Sequence, residues 1–258
     1  YPAHTLQPGD VLVTNDPWLC AGHLFDIAVV TPCFRDGRVV GLLGTVGHVS
    51  DIGGTKDSLR AREIYEEGFQ IPPMKLFEAG KPNETLFRLL NENVRNGEQV
   101  LGDVHSFVAA NALGAERLLA FMDDYGMHDL RALAAVVQGR SEKAMRDAIA
   151  AIPDGDYTSE IWNNPLGTPM RYPVKLTVAG DSLSVDFDGA PPQLPQGGLN
   201  STLNYTAAHA TYPLKCMLTP NVRGNAGCYR PFSVSAPEGS ILNPRRPASV
   251  NIRTRTGW

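Results

Sequence analysis

Two of the six histidines in this sequence stand three residues ahead of an aspartate: His23 before Asp26 in LCAGHLFDIAVV, and His48 before Asp51 in GTVGHVSDIGG. Imidazole nitrogens and carboxylate oxygens are ligands for divalent transition metals. A set of two His and one carboxylate leaves coordination positions open for water or substrate. His23, Asp26 and His48 are therefore the candidate metal ligands and, through the metal, the candidate catalytic residues. Asp51 is read as a group that orients a ligand imidazole, with a plain turn before Gly53-Gly54 as the competing reading. Asn15 and Asp16, in TNDP, are candidates to line the same mouth, although a closed turn is the simpler role. The bland reading of the whole set is two strand-end histidines in ordinary hydrogen bonds.

The elements that must position these groups are strands. DIAVVTPCF and RVVGLLGTVGHV are rich in β-branched residues and flank Asp36-Gly37, a strong two-residue hairpin signal. Counting back from that turn sets Phe34 against Val39, Phe25 against His48 and Asp26 against Gly47. His23, Asp26 and His48 then meet at the open end of one hairpin. Strict register would still point His48 and Asp26 to opposite faces. A bulge, or an irregular CAGH segment, must correct this. Phe25 is expected to be buried.

The rest of the chain reads as α+β, with a β-hairpin-rich N-terminal part, a central helical segment and a mixed β/α C-terminal part. Residues 1–82 hold the metal-site region, 83–152 the helices and 153–258 the mixed region, taken together as one integrated domain. Residues 53–82 show no sustained period and are expected to form a long ordered loop. Asn83 caps a first helix. A second places Val100, Val104, Phe107, Val108, Leu118, Phe121 and Met122 on one face, and a third runs from about Met127 to Pro153. YTSEIW, RYPVKLTVAG and SLSVDFDG are expected strands, the last two joined at Gly180-Asp181. STLNYTAAHATYPLKCMLTP is expected to be a buried helix.

The 258 residues are 43% hydrophobic and 19% charged, a globular composition, and 25 glycines and 20 prolines favour a loop-rich chain. A net charge of −4 with no dense basic run gives no support to a nucleic-acid partner. No apolar run is long enough to cross a bilayer, and no secretory signal is present. The four cysteines form no CxxC pair and are read as reduced cytoplasmic thiols, Cys20 alone standing near the candidate site. His4, His105, His128 and His209 lack an acidic neighbour at ligand spacing and are read as structural. No Walker loop and no GxSxG elbow occurs, so any nucleotide is expected on another chain.

PGDVLVTNDPWLCAGHLFDIAVVTPCF, GHVSDIGG, EEGFQIPPMKLFEAG, NVR, IPDGDY, VDFDG and NAGCYRPFSVSAPEGSILNPRRPASV follow one another as in the hydantoinase B/oxoprolinase family. The sequence resembles that family from Pro8 nearly to its last residue. The family includes the N-methylhydantoinase B component, 5-oxoprolinase, caprolactamase and subunits of acetone and acetophenone carboxylases. Its members are longer, so the chain reads as a central fragment. By position, the resemblance assigns metal ligation to His23, Asp26 and His48, and it implies a further acidic ligand from an upstream segment outside this chain in some relatives. It implies a divalent metal (Mn, Zn or Fe) and a hydantoinase A-type partner subunit that binds ATP. The implied activity is opening of a lactam, hydantoin or 5-oxoproline-like ring. The alternatives are a ketone carboxylase subunit, a non-haem iron oxygenase and a non-catalytic scaffold. There are two departures: Cys20-Ala21-Gly22 where the family commonly has Gly-Gly-Thr, and GDVHSFVAA in place of Gly-Asp-x-x-Ala-Gln-x-Ala-Ala.

Overall fold

The computed structural model describes residues 1–55, 59–164 and 166–256. The chain forms two compact units: Tyr1–Asp57 with Ile64–Leu130, and Ser58–Glu63 with Arg131–Trp258. The division falls within residues 83–152, ahead of the last helix of that stretch. The α+β arrangement is as expected: an antiparallel sheet, a run of helices, then mixed strands and helices.

In the first unit, β1 (Val11–Thr14), β2 (Asp26–Arg35), β3 (Arg38–His48), β4 (Met74–Glu78) and β5 (Lys81–Pro82) form one sheet in the order β3-β2-β1-β4-β5. Asp36 and Gly37 have φ of 49° and 72°. Positive φ at both central residues is the type I′ geometry whose twist suits a two-residue hairpin. Next to the turn, Arg35 pairs with Arg38 and Phe34 with Val39, but Cys33 pairs with Gly41. Val40 is thus an extra residue, a β-bulge. Beyond it the register is moved by one, so Asp26 pairs with His48 and Ile27 with Gly47. Directly opposed residues share a face of the sheet. Of the two corrections the sequence left open, the bulge is present, and it replaces the unbulged pairing of Asp26 with Gly47.

Residues 53–82 depart from the expected loop. Strand β4 lies antiparallel to β1 and turns into β5. Only Leu76 of β4 is buried, and a five-residue strand with one buried position has too little alternation to stand out. Fully buried Asp10 anchors the turn by accepting from the Ala79 N–H at 3.0 Å and lying 3.1 Å from Lys75 Nζ.

Helix α1 (Glu84–Asn93) begins as expected, with the Asn83 side chain accepting from the Leu86 N–H at 3.1 Å. Helix α2 (Gly97–Asp124) lies against β2 and β3. Val100, Val104 and Met122 are buried, while Phe121 is exposed. Buried Asn111, in the middle of the helix, donates to the Val29 carbonyl at 3.1 Å and accepts from the Thr45 hydroxyl at 2.7 Å. It thereby fixes the helix to both strands of the hairpin.

Gly126, at φ 60°, closes α2, and in the second unit α3 (Arg131–Ala150) starts later than expected. Strands β6 (Gly155–Asn163), β7 (Met170–Ala179) and β8 (Ser182–Asp186) are antiparallel, and β9 (Phe232–Ser235) runs parallel to β8. Helix α4 (Leu203–Leu218) is not buried all round: Met217 is 80% exposed, and its buried positions are Thr206, Thr211 and Lys215. Met145 and Ile149 of α3 form a core with Val178, Leu183, Val185 and Cys228, the last from α5 (Ala226–Tyr229). Among the described residues, no helix is long and apolar enough to cross a membrane.

Candidate metal centre

His23 precedes β2, Asp26 opens it and His48 closes β3, so one hairpin end carries all three. His23 Nε2 lies 3.0 Å from Asp26 Oδ2, and His48 Nδ1 lies 3.0 Å from Asp26 Oδ1. The imidazole centroids are 4.9 Å apart. One ligand atom from each residue falls within 4.8 Å of the others, and among the described residues this is the only such group of His, Cys, Asp or Glu. Metal bonds of about 2.0–2.2 Å place tetrahedral ligand atoms roughly 3.3–3.6 Å apart. Two borderline nitrogens and one hard oxygen are a donor set that suits a divalent transition metal, which would draw them together from separations of up to 4.8 Å. His23 is buried, whereas the His48 side chain is 56% exposed, so the group opens toward solvent along one edge.

The floor of the group is apolar. Phe25, 1% exposed, stacks on the His48 ring at 5.4 Å and 13° and meets the His23 ring at 5.5 Å. Beside His48, Gly47 lies directly under the Phe107 ring of α2, and an added Cβ there would collide with that ring. The Phe107 ring can lie on the strand at this point because residue 47 lacks a side chain.

Two of the other sequence candidates, Asp51 and Asn15, bond to Arg95 and to backbone groups and not to these three side chains. Asp51 is buried and accepts from the Arg95 backbone N–H, from Arg95 Nη1 at 2.6 Å and from the Gly53 N–H at 3.3 Å. Burial acts to raise its pKa. The Arg95 backbone and guanidinium donors and the Gly53 N–H outweigh that and hold the carboxyl below its usual range. The expectation that Asp51 orients an imidazole is thus corrected: it fastens the loop after His48 to the start of α2. Asn15 is fully buried; its amide donates to Leu24 O at 2.8 Å and Phe69 O at 3.0 Å, and its oxygen accepts from Ile71 N–H at 2.7 Å. It clamps the His23-Leu24-Phe25 segment from behind. Asp16 accepts from the Trp18 N–H at 3.0 Å, closing a turn. The half-buried Cys20 thiol is pushed up by burial, against the Ala21 N–H and with the Asp26 and Asp16 charges adding to the rise. Arg95 and Phe107 carry no site signal in the sequence, since each acts through contacts that only the fold creates.

An α+β frame presenting two His and one Asp at an open hairpin end is a candidate metal site. The hydantoinase B/oxoprolinase family model matches residues 1–257, and the chain belongs to that family. It is 32% identical over 98% of its length to the B component of a putative D-/L-hydantoinase of Pseudomonas sp. (strain NS671), covering 46% of that protein. It is 30% identical over 96% of its length to the beta chain of the caprolactamase of Pseudomonas jessenii, covering 44% of it. A solved structure of the ATP-dependent caprolactamase from that organism superposes with a TM-score of 0.88 at 29% identity, over 96% of this chain and 44% of that one. A solved acetone carboxylase, 17% identical, shares the fold with a TM-score of 0.84 over 96% of this chain and 35% of its own. The chain thus spans less than half the length of these relatives.

Proposed function

We propose that the chain carries the metal-binding part of an ATP-dependent enzyme that opens a cyclic amide ring, with ATP bound by a hydantoinase A-type partner subunit. The observation that carries this reading is the convergence of His23, Asp26 and His48 on one edge of a hairpin. The names hydantoinase, caprolactamase and 5-oxoprolinase among its relatives all denote ring amides, and two of those relatives are named as subunits. The missing Walker loop fits a division in which the nucleotide lies on another chain.

His23 Nε2, Asp26 and His48 Nδ1 would hold Mn, Zn or Fe. Such a cation supplies Lewis acidity toward a carbonyl and acidifies a bound water. The chain's own residues prepare the position. Asp26 sets one oxygen 3.0 Å from each of these two nitrogens, which gathers the three donors at one point. Phe25 keeps water from the back of the rings, and Asn15 holds the loop that bears His23. The exposed edge of His48 leaves the front free for a substrate.

The test is ring opening of hydantoin, caprolactam and 5-oxoproline by the protein with its partner, with and without ATP, chelator and labelled bicarbonate. The expected result is ATP-dependent ring opening that chelation abolishes, with no label in the product. Label in a carboxylated product would replace this reading with the ketone carboxylase one. ATP hydrolysis by this chain alone would contradict the division between subunits.

A further inference from the structure

Strand β6 is the outer strand of the second unit's sheet, in the order β6-β7-β8-β9, and it pairs with β7 over all nine residues without a register shift. Among the described residues, no strand meets the backbone N–H and C=O groups of its outer side. Edges of this length are ordinarily blunted by Pro, by Lys, by a bulge or by a covering element. GDYTSEIWN has no Pro, Lys or bulge. Helices α3 and α4 lie against β8 and β9, and every β6 residue except Asn163 is exposed.

Tyr157, Ser159 and Ile161 oppose Leu176, Val174 and Tyr172 of β7, so they share the face that carries the unit's core. That apolar layer runs on to the edge, where Tyr157 is 42% and Ile161 56% exposed. The two carboxylates of the strand do not guard the edge. Asp156 accepts from the Thr177 hydroxyl at 2.5 Å and Glu160 from Arg171 Nε at 2.6 Å, so both are drawn back onto β7.

An edge strand can meet a second copy of itself antiparallel about a two-fold axis. Opposed residues must point to the same face, so the axis of such a pair passes through a residue. Centring on Ser159 pairs the whole strand: Tyr157 meets Ile161 of the copy, Thr158 meets Glu160 and Asp156 meets Trp162. An aromatic opposite a β-branched side chain is a favourable cross-strand pair, and no acid faces an acid. Centring on Thr158 sets Asp156 against Glu160, and centring on Glu160 sets that residue against itself. Centres further out pair little more than half the strand.

We infer that a second copy of this chain adds to the β6 edge with Ser159 on the two-fold axis, joining two four-stranded sheets into one. Both core faces then lie on the same side of the joined sheet, and Tyr157 and Ile161 of each copy cover those of the other. This assembly is independent of the metal centre and of the reaction proposed for it.

The experiment is sedimentation equilibrium of the full chain over a range of concentrations, beside Ile161→Lys. Disulfide cross-linking of Ser159→Cys and Tyr157→Cys accompanies it, each with Cys216, an exposed thiol, replaced by Ser. A mass rising from 27.9 kDa toward twice that value is expected, with association about tenfold weaker or more in Ile161→Lys. Ser159→Cys should cross-link to its copy, because directly opposed Cα atoms lie about 4.5–5.5 Å apart, within disulfide reach. Tyr157→Cys, set roughly 13 Å along the strand from its copy, should not. The mass of a single chain at every concentration would overturn the inference and leave the edge to a strand of another protein. Association unchanged in Ile161→Lys, or Tyr157→Cys cross-linking as fast as Ser159→Cys, would overturn it by placing the contact elsewhere.

Discussion

The hairpin end and a cavity of about 210 Å³ lined by β7 and α4 are built in opposite ways. The hairpin end brings two imidazoles and a carboxylate together with one edge open to solvent. The cavity sets the Tyr172, Ser201 and Thr206 hydroxyls among apolar walls, and among the described residues no Lys, Arg, Asp or Glu lines it. A cation needs basic donors on a stiff frame, and solvent can reach it. The hairpin end depends on register, and the cavity on residues that separate stretches supply.

Register offers the largest test. Val40 is the bulge residue, and deleting it leaves the pairs from Cys33–Gly41 to Asp26–His48 as they are. Deleting Leu42, between bulge and site, moves His48 one position and turns it to the face away from Asp26. The Val40 deletion should keep metal binding and the Leu42 deletion should abolish it, in a metal titration with circular dichroism as the check on folding. Equal metal affinity in both would mean that register does not place the site.

Packing beneath the rings comes next. Phe25→Ala removes a fully buried aromatic side chain in contact with both imidazoles. It should cost about 3–5 kcal/mol in denaturant unfolding. A loss under about 1 kcal/mol would show that the floor of the site collapses readily around the gap.

The smallest effect concerns Asp51, and its sign follows from its depressed pKa. The folded-state pKa lies below the unfolded value of about 3.9. The ionised group therefore contributes stability that is present above that pH and lost as pH falls through the folded value. Asp51→Asn should be less stable than wild type by about 1–3 kcal/mol near neutral pH. The gap should narrow below about pH 3.9. A gap independent of pH would show that lost packing, not the Arg95 pair, sets it.

The hairpin is readable in the sequence because its information is local. Asp36-Gly37 names the turn, and counting residues from it reaches the site. Only the bulge position escapes, since nothing in VVGLLG marks Val40 as the unpaired residue. Strand β4 escapes because it has a single buried position. The spacing of Asp51 to His48 points to an imidazole, while its true partner Arg95 lies 44 residues away and meets it only through the start of α2. The cavity leaves no sequence signal at all. Tyr172, Ser201 and Leu242 come from separate stretches that only the fold brings together. His209, structural by its sequence neighbours, lines that cavity.

The central claim is that His23, Asp26 and His48 act as one metal-binding unit, and metal content decides it directly. Elemental analysis of purified wild-type protein beside His23→Ala, Asp26→Ala and His48→Ala should find a divalent transition metal in the wild type and its loss from each variant. Removing any one leaves at most two of these donors, too few for tight binding. Circular dichroism should be largely unchanged, because the substitutions lie at strand ends. Full occupancy in all three variants would contradict the claim.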